Sequence, residues 1–577
     1  MRPVAGSVRG WPRAAAGCAL LALLGGTAAP AHAKLIAELV ILDGDVITEN
    51  PAQPQASALA VRNGKIAFVG DATGAQRWIG SSTRVLRVAG ATVLPGLIDS
   101  HIHVMDGALS QSACSFGDTA LSVAQTAPII RACAARTSGT GWVTVSQLNG
   151  AGFHADRHDL DAILPDRPLQ LWAAGGHDGW VNSAALKLAR IDRLSPDPTN
   201  GRIGRDSNGE PNGYLVDAAL ERVNRLIDEP SPAERERVLL KVLGDLAKDG
   251  ITTFMEADTS DTTVHTYVEL ARKRQLHARV SMALHCDGTL SDIEFARLNG
   301  LRRLAATQPL LRADLIKLFA DGVMEYPAHS AAMLEPYLEA NGQPGTDYGP
   351  TYLEPTRLAL FVRRAADEGF GVHVHAIGDR AARLALDAFA EARAHGSTRS
   401  YSIAHLELVA PGDLPRFKTL NVIASLQLQW ARPDNYSVDA VLPYIGPERQ
   451  SRLYPERALQ AAGATIAGGS DWEVSTFNPF EAMAVAISRR NQQEPQRGVL
   501  GVEQTLPLHE LFEAYTINAA RMLGREAEVG SLAVGKAADL IVLDRHLDDA
   551  SSSTEVLATK VRYTFMDGVM RVGSARP

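Results

Sequence analysis

The sequence predicts an α/β fold, a TIM-like (β/α)8 barrel of parallel strands with a β-sandwich domain split between the two ends of the chain. Three observations carry this prediction. Short apolar segments alternate with helical ones through the middle of the 577 residues, the pattern of strand–helix units that build a parallel sheet. Both ends instead show short apolar runs broken by turn signals such as Asp43-Gly44 and Asn63-Gly64. The apolar run Val93 to Ile98 is soon followed by His101 and His103, which share one face of a strand because strand side chains repeat with period two.

The chain opens with Arg2, Arg9 and Arg13, an apolar run Ala14 to Ala29, and Ala31-His32-Ala33. This is the pattern of a cleaved secretory signal peptide over residues 1–33. The run is shorter than the about 20 residues a spanning helix needs, so no stable membrane span is expected. Cys18 sits at the front of the apolar region, which argues against lipid attachment. The mature chain is expected to start near Lys34 and to work in the periplasm or outside the cell. A net charge of −8 argues against nucleic acid or an anionic membrane as partner. The length suits about two to four domains. Beyond the leader the cysteines are Cys114, Cys133 and Cys286. An oxidising compartment permits a Cys114–Cys133 bridge, and Cys286 reads as a buried thiol.

Residues 34–93 and 525–577 read as two pieces of one β-domain, with the barrel, 94–524, inserted between them. The strand candidates are Leu94 to Asp99, Ile251 to Met255, Arg279 to Leu284, Leu315 to Ala320, Gly371 to Ala376, Ser402 to Leu406, Val422 to Leu426 and Thr465 to Gly468. Helical stretches such as Pro232 to Lys248 and Arg380 to His395 separate them. Residues 107–224 are too long for one crossover and read as a subdomain inserted after the first barrel strand.

Lys317, His375, His405 and Asp471 lie at or near the C-terminal ends of proposed strands, where barrels place their chemistry. Asp321 is a spare acid, and His373 has the same parity as His375. Such a cluster suits a metal, which can acidify bound water and polarise a carbonyl. Imidazole and carboxylate suit zinc and similar divalent ions. Lys317 would carry a costly buried charge unless paired or altered; the alternative is an outward lysine snorkelling between helices.

Pro95-Gly-Leu-Ile-Asp-Ser-His-Ile-His, Gly468-Gly-Ser-Asp and the terminal Gly530-Ser-Leu-Ala-Val-Gly-Lys-Ala-Ala-Asp-Leu together resemble the amidohydrolase superfamily. The phrases Gly176-His-Asp-Gly-Trp-Val-Asn and Gly201-Arg-Ile-Gly-Arg-Asp-Ser-Asn-Gly resemble its amidohydrolase family 3 branch, which includes N-substituted formamide deformylase. The resemblance implies one or two divalent metals held by His101, His103, Lys317, His375, His405 and Asp471. It implies a Lys317 carboxylated by carbon dioxide to bridge them and an Asp471 that relays the proton. It also implies a small-molecule substrate with a non-peptide amide, formamide or N-acyl bond, cut by metal-activated hydroxide, and a homodimer. The alternatives are ester, lactone or carbamate hydrolysis by the same centre, or a binding protein without turnover. The insert is expected to cover the pocket through His177, Trp180 and Asn182, with Asp321 and Trp472 as further substrate contacts. Trp430, Phe477 and Tyr326 are candidates for an aromatic wall.

Overall fold

The computed structural model describes residues 36–136, 141–339 and 341–573. The expected signal peptide lies outside the described residues. Among these residues no helix is long and apolar enough to cross a membrane.

Eight parallel strands form a nearly closed sheet: Leu97–Ile102, Ile251–Thr259, Arg279–His285, Leu311–Phe319, Gly371–Ala376, Tyr401–His405, Val422–Leu426 and Thr465–Gly468, in chain order around the barrel. The last and first strands meet where Asp471 N donates to His101 O at 2.7 Å and Ser470 N donates to the Asp99 carboxylate at 3.0 Å. Outer helices follow ordinary rules. In Pro232–Lys248 the Ser231 hydroxyl caps the N-terminus, Pro232 sits in the first turn, and Val238, Leu239, Val242, Leu243 and Leu246 face the sheet. The lower lumen is plugged by the helix Ile517–Met522, whose Ala519, Ala520 and Met522 pack on Ile98, Met255, Ala283, Leu315 and Ala467.

The first barrel strand starts three residues later than its sequence suggests. Thr92–Pro95 belongs to the terminal sheet, where it pairs with Leu540–Leu543. Gly96 then turns the chain into the barrel, and a Cβ there would come within 2.2 Å of Thr252 Oγ1. A continuous apolar run hid a boundary because both strands are buried. The terminal sheet has eight strands. Its centre, Leu39–Ile47, pairs with Gln55–Arg62, Arg84–Arg87 and Thr92–Pro95, and the C-terminal strands Leu540–Leu543, Val561–Met566 and Val569–Val572 join through Thr92–Pro95. Arg279, on the third barrel strand, ties the two bodies together by bonding Asp539 (2.8 Å), Glu528 (2.8 Å) and Asp567 (2.5 Å).

The insertion holds a six-stranded sheet running from Cys114–Ser115 to Pro211–Asp217. It has its own core, in which Val145, Leu171, Trp180 and Val216 are buried. A Cys114–Cys133 disulfide, with Cα atoms 6.0 Å apart, joins its edge strand to the helix Val123–Arg136. Cys286 is a free buried thiol.

Candidate metal centre

His101 and His103 leave the end of the first barrel strand and meet Asp471, which follows the eighth. His101 Nε2 lies 3.2 Å and His103 Nε2 3.1 Å from the same oxygen, Asp471 Oδ1. The three ligand atoms lie within 4.8 Å of one another. Asp471 adopts a left-handed backbone, φ 52°, a conformation costing a non-glycine residue roughly 1 kcal/mol or more, of the kind that clusters at functional sites. Gly469 permits this close approach, since a Cβ there would stand 2.7 Å from His101 Cβ.

Lys317, on the fourth strand, is buried with Nζ 3.4 Å from His101 Nε2. Burial pulls its ammonium down to about 8 against the opposing pull of Asp258 and Asp471. His375 and His405 form a second group, with ring centroids 4.4 Å apart, and His405 lies 4.9 Å from His101. His405 also has a left-handed backbone, φ 73°. Burial holds both imidazoles well below their usual range, as does the charge of His405 on His375. They are therefore neutral and can donate a lone pair. His375 Nε2 faces Gly322 O at 3.1 Å, which leaves Nδ1 for ligation.

His373 is not at the front of the site. Its Nε2 lies 2.8 Å from His101 Nδ1 and its Nδ1 2.7 Å from Ser402 Oγ. This pins the His101 ring and leaves His101 Nε2 to face the centre. His177 reaches the site from the insertion: its ring lies 5.1 Å from His375, and Asp217 Oδ1 holds its Nδ1 at 2.7 Å. The other Asp217 oxygen accepts from Tyr352 OH.

Three expected substrate contacts are engaged by the protein itself. Asn182 is fully buried and fully engaged: it accepts from Leu169 N and Ala185 N and donates to Leu164 O and Arg167 O. It caps the helix Ser183–Leu188 and has no bond left for a ligand. Asp321 accepts three backbone amides, from Ala332, Ile377 and Gly378, at 2.8–3.0 Å. It ties the loop after the fourth strand to the fifth and lies behind His375, 3.8 Å from its Nε2. Trp472 is buried against Phe477 and flat on Gly107. Trp180 packs between Phe153 and Tyr214 inside the insertion, and Tyr326, an exposed residue, stacks on Tyr444. Of the aromatic candidates Trp430 stands at the site, its ring parallel to His405 at 5.3 Å.

The arrangement fits a divalent cation. Asp471 Oδ1 and His405 Nδ1 are buried without a hydrogen-bond partner, an arrangement that costs free energy unless something else binds them. Two imidazole nitrogens converge on that oxygen. Neutral imidazoles and a carboxylate are the donor set of zinc and its neighbours.

A profile described as the amidohydrolase family matches residues 88–572. The chain belongs to that family. It is 29% identical over 552 residues to Protein LONG AFTER FAR-RED 3 of Arabidopsis thaliana, covering 92% of this chain and 91% of that one. It is 27% identical to the N-substituted formamide deformylase of Arthrobacter pascens, covering 92% and 98%. An uncharacterized metal-dependent hydrolase from Pyrococcus furiosus shares the fold, with a TM-score of 0.66 at 24% identity over 88% of this chain and 99% of that chain. The chain is thus a hydrolase of the amidohydrolase family whose His101, His103 and Asp471 could hold a metal ion at the C-terminal mouth of its barrel.

Proposed function

We propose that this enzyme hydrolyses a carbon–nitrogen bond of a small non-peptide amide, of the N-substituted formamide or N-acyl class. The observation that carries the reading is the convergence of His101 Nε2 and His103 Nε2 on Asp471 Oδ1 at 3.1–3.2 Å. His101, His103, Lys317 and Asp471 would hold one divalent ion, and Lys317, His375 and His405 a second, with zinc the best match to these donors. Burial disfavours the charged form of the Lys317 amine, and the neutral amine can add carbon dioxide through a new N–C bond with loss of one N–H proton to solvent, giving a carbamate anion that would serve both ions. When bound, the ions supply a nucleophilic oxygen from water at neutral pH and polarise the carbonyl.

The chain's own residues then have defined tasks. Asp471 stays ionised, because the neighbouring His101 and His103 outweigh the effect of its burial. It can therefore accept the proton lost by the attacking water and pass it to the leaving nitrogen. His177, oriented through Nδ1 by Asp217, presents Nε2 to the substrate oxygen. The arginine-led leader over residues 1–33 supports action outside the cytoplasm.

The test is the metal content of chelator-free protein beside Lys317→Ala, together with turnover of N-alkylformamides. About two metals per chain in the parent, a clear loss in the variant, and formamide turnover support the reading. About one metal in both sinks the bridging lysine. No turnover of any amide sinks the carbon–nitrogen reading, and no metal after reconstitution favours a binding protein on this barrel.

A further inference from the structure

Gln427 follows directly on the seventh barrel strand, Val422–Leu426. The residues of the same parity below it face the lumen. Ile423 packs with Ile98, Met255, Leu315 and Ala467 from four other barrel strands. Ser425 Oγ lies 3.1 Å from Ser100 Oγ on the first strand, a contact that crosses in front of the intervening eighth strand. Strand alternation therefore turns the Gln427 side chain toward the lumen, one step nearer the mouth than Ser425. That step is the level of the metal centre. Ser425 is paired with Ala404, the residue before His405, and three residues after Gln427 the Trp430 ring lies against His405.

Gln427 is 3% exposed, and neither its Oε1 nor its Nε2 has a hydrogen-bond partner. Its position is unlike that of Asn182, where all four bonds are made inside the protein. Leaving a buried amide unmet is destabilising, whereas a leucine there would carry no such deficit. A ligand that offers an N–H removes the deficit at Oε1.

We propose that Gln427 is a specificity-determining residue that reads the substrate's amide N–H, its Oε1 accepting that hydrogen. This deepens, and rests on, the hydrolase reading above. The substrate class narrows to secondary amides. A tertiary amide or an ester has no N–H, so Oε1 stays unpaired, and in the ester it also faces another acceptor. Sites built around such a bond discriminate strongly against analogues that lack it.

The experiment compares N-butylformamide, N-butyl-N-methylformamide and butyl formate as substrates of the full-length, metal-loaded protein, in the parent, Gln427→Leu and Gln427→Asn. The parent should favour the secondary amide over the tertiary one by tenfold or more in kcat/KM, about 1.4 kcal/mol. Gln427→Leu should lower kcat/KM for the secondary amide at least about tenfold more than for the other two, with metal content and thermal midpoint held or raised. Gln427→Asn should recover part of the preference. Equal losses on all three substrates, or none on any, overturn the inference while leaving the hydrolase reading intact. No turnover of any of the three by the metal-loaded parent overturns both.

Discussion

His373 holds His101 from behind, Nε2 to Nδ1 at 2.8 Å, and is itself held by Ser402. A ring fixed at one nitrogen presents the other in a defined direction, and partners of this kind are worth about 10–100-fold in metal affinity or activity. His373→Ala should therefore weaken metal binding by that factor without removing a ligand. Competition against a chelator of known affinity would measure it, and an unchanged affinity would show that His101 is oriented by packing alone.

Removal of metal should cost stability. An ion bound to the folded chain at about 1,000 times its dissociation constant contributes about 4 kcal/mol. Chelator treatment should lower the thermal midpoint by several degrees, and zinc should restore it. A midpoint indifferent to both would mean that no ion is bound at the cluster.

Gly107 sits under Trp472, and a Cβ there would lie 2.3 Å from the indole Cζ3. Alanine gains about 1 kcal/mol in helix propensity within Val104–Ser112, but overpacking costs about 1–3 kcal/mol. The clash should win. Since Trp472 follows Asp471, Gly107→Ala should lower both the unfolding midpoint and the metal content; a more stable, fully metallated variant would refute this ordering of effects.

Glu256 is buried on the second barrel strand, where Met105 N and Tyr267 OH donate to its two oxygens. Burial pushes its carboxyl up to about 8, against the Tyr267 hydrogen bond. The folded pKa thus exceeds the unfolded value, 4.5. Its contribution to stability is full below the unfolded value and is lost as pH rises toward 8. In metal-free protein the stability of the parent relative to Glu256→Gln should fall by a few kcal/mol, on the order of 1.4 per unit of pH, between pH 5 and 8. Chemical denaturation at both pH values would show it, and parallel pH profiles would contradict it.

Arg279 compensates the buried Asp539. Removing one partner of such a pair costs about 3–5 kcal/mol. Arg279→Ala should destabilise the protein by that amount, and adding Asp539→Asn should restore part of it. An unrestored double variant would locate the loss in packing instead.

The sequence of this protein determined the elements and the chemistry of local patterns. All eight barrel strands lie where their apolar runs place them, offset by a few residues at most, and Gly371–Ala376, Val422–Leu426 and Thr465–Gly468 match residue for residue. Period-two spacing put His101 and His103 together, and the strand ends carried Lys317, His375, His405 and Asp471. The terminal phrases marked the two halves that meet in one sheet.

Tertiary structure decided what each polar side chain faces. Asn182, Asp321 and Gln427 are all buried polar residues in or beside strands and turns, and nothing in their neighbours distinguishes them. Asn182 spends its bonds on a helix cap and Asp321 on three backbone amides, while Gln427 is left with none. Trp472 packs in the core against Phe477 and Gly107, and His373 holds the His101 ring in place. Those differences depend on hydrogen-bond partners far apart in the chain, which local periodicity does not encode: pairing of the fifth and sixth strands brings Ser402 to His373, and closure of the barrel brings Asp471 to His101.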